Sequence, residues 1–196
     1  MSAKLTIRPL TPERWPDLEA IFAAKGCSIA KMCWCMAYRR SGKRGELPKG
    51  MTHSKANRAE LKAITDSGTP PGLIAYDGKK PVGWISLGPR EDFKRLEKSP
   101  IMKPVDGKPT WSVICFVVPS EYRGQGVAHE LLKGGIAYAK KHGAKLVEGY
   151  PVDKKGPQND DNLWFGTKGM FDQAGFEVIA RRKATRPVVR LALVRK

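Results

Sequence analysis

The chain is expected to fold as one domain of the α/β (α+β) class over residues 1–196, and three observations carry that expectation. Ser112 to Val118 is a short apolar run, rich in β-branched residues and ended by Pro119, which is the pattern of a buried central strand. Gly124 and Gly126 follow at once and open a stretch of helical spacing, so a strand, a tight turn and a helix start stand in sequence. On either side, period-two and period-3.6 stretches succeed one another in the order β-α-α-β-β-β-α-β-α-β-β, about seven strands and about four helices.

Taken in order, Leu5 to Leu10 reads as the first strand. Thr11-Pro12-Glu13 then starts a helix by cap, first-turn proline and acid, and that helix carries Trp15, Leu18, Ile21 and Phe22 at helical spacing before stopping near Gly26. A patch of Met32, Cys33, Trp34, Cys35, Met36 and Tyr38 and then a basic loop precede a second helix, Thr52 to Ser67. Its inner face is read as Ala56, Ala59, Ala63 and Ile64. Leu73 to Tyr76 and Val82 to Leu87 are strands joined by the hairpin turn Asp77-Gly78-Lys79-Lys80. Residues 88–110, with four prolines, read as a mobile loop with a short helix around Phe93 to Leu96. Val127 to His142 is the third helix, ending in Lys140, Lys141 and Gly143 as a helix C-terminus favours. Gly134-Gly135 inside it disfavours the helix by roughly 1 kcal/mol per glycine, which implies close packing on the sheet. Lys145 to Val152, a short helix over Leu163 to Gln173, and strands Phe176 to Ala180 and Val188 to Val194 complete the chain.

The strand–turn–helix unit is a device for holding phosphate. The first backbone N–H groups of a helix have no intrahelical acceptor, and the positive end of the macrodipole adds to them. Gly124 and Gly126 put no Cβ between backbone and ligand, and Arg123 supplies a forked cation. A Walker A loop needs Lys-Ser/Thr after its second glycine, where this chain has Val127-Ala128; a dinucleotide fingerprint needs a third glycine where Glu130 stands. A plain glycine-rich helix cap is the non-functional alternative. The pattern that fits is R/Q-x-x-G-x-G/A, met by Arg123, Gly126 and Ala128, and it resembles the acetyl-CoA loop of the GCN5-related N-acetyltransferase (GNAT) superfamily. A second match is Phe171-Asp-Gln-Ala-Gly175-Phe176, similar to the family's Y-x-x-x-G-F ending. The Cys33-Trp34-Cys35-Met36 patch, with Gly166-Thr167 and Met170-Phe171, also resembles an uncharacterised bacterial subgroup.

The resemblance implies a mixed, mostly antiparallel central sheet and acetyl-CoA as cosubstrate. By position, the backbone of Phe116 and Val118 would hold the pantetheine arm, and Arg123, Gly124, Gly126, Val127 and Ala128 the pyrophosphate. Cys33, Trp34 and Cys35 would form the wall of the acceptor site, with the basic segment Arg39 to Arg58 beside its mouth. The reaction implied is direct attack of an amine nitrogen on the acetyl thioester. It needs a neutral amine, N–H donors for the oxyanion, and a fate for the departing thiolate. The family's usual acid is the tyrosine of that ending, and Phe171 stands there, which cannot donate a proton. Glu148, on the strand beside the cleft, is the foremost base candidate, although it could equally pair with a neighbouring cation; Tyr150 and His53 follow.

Composition bounds the partners. The formal charge is +17, and Arg39 to Arg58 carries seven Lys/Arg against Glu46 alone. Such a field favours anions: CoA, nucleic acid, or no specific partner at all. It also predicts a neutral or anionic amine acceptor, small molecule or protein, because a positive field repels polycations. The four cysteines, 27, 33, 35 and 115, do not form a disulfide framework at this chain length, and their spacing is a poor match to structural zinc, so no metal is expected. No apolar run approaches the roughly 18 residues that span a bilayer, and MSAKLTIRPL lacks a signal peptide's apolar core, so a cytoplasmic protein without a membrane partner is expected. Oligomer formation is compatible with every one of these features. Two rivals to the enzyme stand beside it: a CoA-binding module with lost catalysis, suggested by Phe171, and a nucleic-acid-associated protein on the same fold, suggested by the charge.

Overall fold

A computed structural model describes residues 5–41, 47–153, 156 and 163–193. Its centre is a seven-stranded sheet built from β1 (Thr6–Pro9), β2 (Gly72–Asp77), β3 (Lys80–Pro89), β4 (Trp111–Val117), β5 (Leu146–Gly149), β6 (Glu177–Ala180) and β7 (Val188–Ala192), in the order β1-β2-β3-β4-β5-β7-β6. Every neighbouring pair is antiparallel except β4–β5. A parallel pair needs a crossover, and α4 (Val127–Lys141) is that connection. The other helices are α1 (Trp15–Ala23), α2 (Ser28–Cys33), α3 (His53–Asp66) and α5 (Lys168–Gln173). The mixed, mostly antiparallel sheet is thus as expected.

Strands β2 and β3 are buried on both faces because helices cover both, and their alternation sorts the core into two layers. Leu73, Ala75, Ile85 and Leu87 pack against Leu131, Leu132 and Ala139 of α4. Ile74, Tyr76 and Trp84 pack against Leu18, Ile21 and Phe22 of α1 and Leu61 of α3. Each such large side chain, fully buried, contributes about 1.5–3 kcal/mol. The glycine pair in α4 lies close to the sheet, as its sequence implied: a Cβ at Gly134 would come within 2.6 Å of Ile7 Cγ2.

Several boundaries differ from the sequence reading, each for a physical reason. The stretch after Gly26 winds into α2, which ends where Trp34 and Cys35 both take left-handed backbone conformations, with φ of 48° and 53°. The buried face of α3 is Ala56, Asn57, Leu61 and Thr65, while Ala59 and Ala63 face outward. The polar members of that face are satisfied: Thr65 Oγ1 donates to Leu61 O at 3.0 Å and Asn57 Nδ2 to Met32 O at 2.8 Å. Residues 93–96 do not form a helix; a 3-10 turn forms at Arg90–Asp92 instead. The segment is nonetheless anchored, because Phe93, Leu96 and Met102 enter a third apolar cluster with Ile114, Tyr150 and Phe165. The helix expected from Leu163 begins only at Lys168, since Gly166 is left-handed (φ 76°) and Thr167 caps the new start by accepting from Met170 N. The expected end of the last strand at Val194 lies outside the described residues. Among the described residues no helix is long and apolar enough to cross a membrane.

Candidate active site

The site exists because β4 and β5 part. Their pairing runs only from Trp111 opposite Val147 to Val113 opposite Gly149. On the other side of β4, Cys115 faces Ser86 and Val113 faces Leu87, so Ile114 is an extra residue bulged out of the ladder. A bulge bends its strand and raises its twist. Past that point β4 shows an open edge, and a cavity of about 930 Å³ lies against it. Five consecutive residues, Ile114 to Val118, line this cavity. Alternation alone would have put only every second one there, but a strand seen from its edge presents them all.

One end of the cavity is the glycine turn and the start of α4. Arg123, Gly124, Gly126, Val127 and Ala128 all line it. Gly124 and Gly126 have φ of 72° and 80°, which other residues rarely adopt, and a Cβ at either would meet no protein atom within 4 Å. The N–H groups of Val127, Ala128 and His129 have no backbone acceptor among the described residues. Open space, unused donors and a fifteen-residue helix dipole together suit a polyanion, so the residues present fit the pyrophosphate of CoA. Arg123 is placed differently from a simple mouth cation. Its Nε donates to Val118 O at 3.1 Å and its Nη2 to Gly26 O at 2.7 Å, so it braces the turn against the α1–α2 connection. The Phe116 N–H donates to Trp164 O at 2.6 Å, so residue 164 lies along the open edge of β4.

The other end is walled by Cys33, Cys35, Tyr38, Cys115 and Trp164, with no Lys, Arg, Asp or Glu among the described residues lining it. Of the three residues expected to wall an acceptor site, Cys33 and Cys35 line the cavity and Trp34 does not. It is buried behind the wall, stacked on Trp15 at 5.7 Å, tilted on Phe22 at 5.0 Å, and donating from Nε1 to Ser54 Oγ at 3.3 Å. These contacts hold two successive non-glycine residues in the left-handed region, each at a cost of roughly 1–2 kcal/mol. The result aims the Cys35 sulfur at Trp84, whose indole Nε1 donates to it at 3.3 Å. All four cysteines are unbridged thiols, and all four line the cavity. The Cys115 thiol beside Cys35 lowers the Cys35 pKa, with Trp84 and Arg39 acting in the same sense against burial. The neighbouring Cys35 and burial hold Cys115 well above the ordinary thiol range, and burial and then Cys35 raise Cys33. The Cys115 thiol also donates to Phe116 O at 3.7 Å. Cys115 and Trp164 escaped the sequence reading: one is a strand residue among apolar neighbours, the other a lone aromatic in a polar segment. Among the described residues no three His, Cys, Asp or Glu side chains are grouped to hold a metal ion.

Glu148 does not line the cavity. Only 1% exposed, its carboxylate is held by Arg90 and by Arg190, whose Nε and Nη2 donate to Oε1 at 2.9 and 2.6 Å. Arg190 in turn clasps Asp106 with both terminal nitrogens. A carboxylate fixed by two guanidinium groups outside the cavity is not set to take a proton from an amine within it, so the cation-pairing reading of Glu148 applies. Tyr150 is fully buried, 3.0 Å from Ser112 Oγ, and burial and Glu148 raise its pKa. His53 is exposed at the start of α3 and outside the cavity lining. Phe171 is buried edge-on to Phe116 and Phe176, and lies behind the cavity wall. The basic segment is less positive than its sequence suggests: Arg39, Arg40 and Arg58 pair with Asp92, Glu60 and Glu19, acids distant in the chain. Residues 42–46, including Glu46, lie outside the described residues.

A sheet opened by one bulge, with a glycine turn and a helix start at the opening, defines a class of CoA-dependent acyl-transfer folds. The family model of the GNAT acetyltransferase family matches residues 28–153, and the chain belongs to that family. It is an acetyl-CoA-dependent N-acetyltransferase. The chain is similar over 97% of its length to the whole of a mosquito arylalkylamine N-acetyltransferase-like 5b structure, with a TM-score of 0.59 and 14% identity. It is also similar to PaiA N-acetyltransferase from Thermoplasma acidophilum in complex with coenzyme A (TM-score 0.52, 16% identity, 96% of this chain and 99% of that one). YncA, a putative acetyltransferase from Salmonella typhimurium with acetyl-CoA, matches at a TM-score of 0.54 and 16% identity, over 98% of this chain and 95% of that one. No curated protein sequence matches the chain.

Proposed function

We propose that the protein transfers the acetyl group of acetyl-CoA to a primary amine on a neutral or anionic acceptor, by direct attack of the amine on the thioester. One observation carries this reading: a single cavity joins the glycine turn at Gly124–Gly126 to a wall at Cys35, Tyr38 and Trp164 that holds no Lys, Arg, Asp or Glu among the described residues. The first turn of α4 and the glycine backbones hold the pyrophosphate, and Arg123 keeps the turn in shape. Phe116 and Val118 flank the pantetheine arm; binding there exchanges the Trp164 contact of Phe116 N–H for one to the ligand. The acceptor enters at the thiol end, where desolvation among aromatic and thiol side chains favours the neutral amine that attack requires. A lysine-like amine has a pKa near 10.4, so desolvation and a base must both help.

Mass spectrometry after incubation with acetyl-CoA and spermidine, an aminoglycoside, 2-phenylethylamine or glutamate tests the reading. Acetylation of 2-phenylethylamine or glutamate ahead of the polycations is expected. Efficient spermidine turnover, with kcat/KM above roughly 10⁴ M⁻¹s⁻¹, overturns the acceptor assignment. Tight CoA binding without turnover of any amine would favour the second reading, a CoA-binding module, for which Phe171 at the usual acid position speaks.

A further inference from the structure

The acetyl-transfer reading requires two protons to be handled. The amine must lose one, and the departing CoA thiolate must gain one. Glu148 is tied up outside the cavity, and Phe171 has no hydroxyl. What the cavity does hold is a pair of thiols from two separate elements, Cys35 after α2 and Cys115 on β4 where it bulges away from its neighbours.

We propose that Cys35 and Cys115 form the proton-transfer pair of this enzyme, taking the proton from the attacking amine and returning it to the leaving CoA thiolate. The proposal rests on the acetyl-transfer reading of the cavity. Cys115 is half-buried and faces the cavity, while Cys35 lies deeper, 4% exposed, with an indole N–H directed at its sulfur. An N–H aimed at a sulfur stabilises that sulfur as the anion, and a tryptophan can only donate. The backbone conformation at Trp34 and Cys35 is of the strained kind that persists where the surroundings over-determine it.

The step balances as follows. The amine nitrogen bonds to the acetyl carbon and loses one N–H proton to the Cys115 sulfur, whose own proton moves to the Cys35 thiolate. The tetrahedral intermediate collapses, and the C–S bond breaks with its electron pair going to CoA sulfur. Cys115 then protonates that thiolate while Cys35 returns its proton to Cys115, which restores the pair. No oxidant or second reactant is required. The groups facing the pair are the Trp84 indole from β3, the Cys33 thiol from α2, the Tyr38 phenol and the Arg39 guanidinium, itself 3.6 Å from Asp92; Cys27 acts on Cys115 as well. The direction of the two shifts, Cys35 down and Cys115 up, agrees with one proton held between them.

The test uses the full chain and does not depend on knowing the natural acceptor. Ultraviolet titration of thiolate in the wild-type protein is expected to show one sulfur ionising below the ordinary thiol range. That signal should vanish in Cys35→Ala and move upward in Cys115→Ala and Trp84→Phe. Absence of any thiolate below the ordinary range, near pH 8.5, overturns the proposal. With whichever of the four amines above turns over fastest, Cys115→Ala and Cys35→Ser should lower kcat by about 10²–10⁴-fold and displace the acidic limb of its pH profile. KM for acetyl-CoA should stay unchanged. Variants that melt like wild type yet keep its rate and pH profile refute the pair while leaving acetyl transfer intact. An acetyl group found on Cys35 or Cys115 after exposure to acetyl-CoA alone would also refute it, in favour of a covalent route. Failure of the wild-type protein to acetylate any amine strikes the acetyl-transfer reading instead, and the thiolate titration still decides the pair.

Discussion

Replacing Gly126 by valine separates the architecture of the turn from its chemistry. The residue has φ of 80° and precedes the first residue of α4, and a Cβ there meets no protein atom within 4 Å. The folded protein therefore suffers no clash, only the left-handed conformation, which disfavours a side-chain-bearing residue by roughly 1–2 kcal/mol. For a chain of this length that is a fall in Tm of roughly 2–8 °C. Binding should suffer far more, because the open space is where backbone meets pyrophosphate. Losing two charge-assisted hydrogen bonds, about 1.5–3 kcal/mol each, removes about 3–6 kcal/mol. At 1.4 kcal/mol per tenfold, that is a Kd for acetyl-CoA raised roughly 10²–10⁴-fold. Gly68→Val is the matched control. Gly68 has φ of 84°, also with no atom within 4 Å of its Cβ, and does not line the cavity. Calorimetric titration with acetyl-CoA and a thermal melt on both variants are the assay. Equal losses of stability with loss of binding in Gly126→Val alone are expected. Wild-type affinity in Gly126→Val would refute the assignment of this turn to the cosubstrate.

Other perturbations test neighbouring parts of the account. Arg123→Ala should weaken acetyl-CoA binding by roughly tenfold or more, because it removes a cation and two charge-assisted braces; Arg123→Lys, which has no fork to span Val118 O and Gly26 O, should not restore it in calorimetry. Glu148→Gln should lower stability by about 3–5 kcal/mol, since it leaves the buried Arg90 without its anion and Arg190 with Asp106 alone. A melt checks this, and unchanged stability with abolished turnover would reinstate Glu148 as the base. Phe171→Tyr places a hydroxyl among Phe116, Phe176 and Gly149. It should retain turnover while losing about 1–3 kcal/mol if that hydroxyl finds no partner, which denaturant titration measures. Asp106 is held at a pKa of about 2 by the Arg190 guanidinium, below its unfolded value. Its stabilising effect is therefore complete above about pH 4 and lost as pH falls toward 2; Asp106→Asn should flatten an acid-unfolding curve in that window.

What was legible in the sequence was whatever is decided locally. The central strand, the turn glycines and the amphipathic face of α4 follow from runs, spacings and a proline within a few residues of each other. The thiol-lined end of the cavity shows in the sequence as composition but not as shape. A left-handed Trp34–Cys35 pair has no local signal, because it is imposed by Trp15, Phe22 and Ser54 from elsewhere in the chain. The surroundings of Glu148 have no local signal for the same reason: its partners lie 58 and 42 positions away. The inner face of α3 was read as alanines because Asn57 and Thr65 look like surface residues until their acceptors are in view. Likewise, the charge of the basic segment could not be discounted without Asp92, Glu60 and Glu19 beside it.

The parting of β4 and β5 has a mechanical side. Four strands, β1 to β4, stand on one side of that seam and three, β5, β7 and β6, on the other, and the backbone ladder across it holds only three residue pairs. So short a ladder is a weak fastening for two half-sheets. Arg90 comes from the end of β3, Glu148 from β5 and Arg190 from β7, so the buried ion cluster bridges the seam on the side where the ladder is still closed. Asp106, from the segment between β3 and β4, extends the same clasp. Opening one end of the seam to admit a ligand concentrates shear between the halves at the other end. The carboxylate that sequence alone nominated for chemistry stands where it resists that shear.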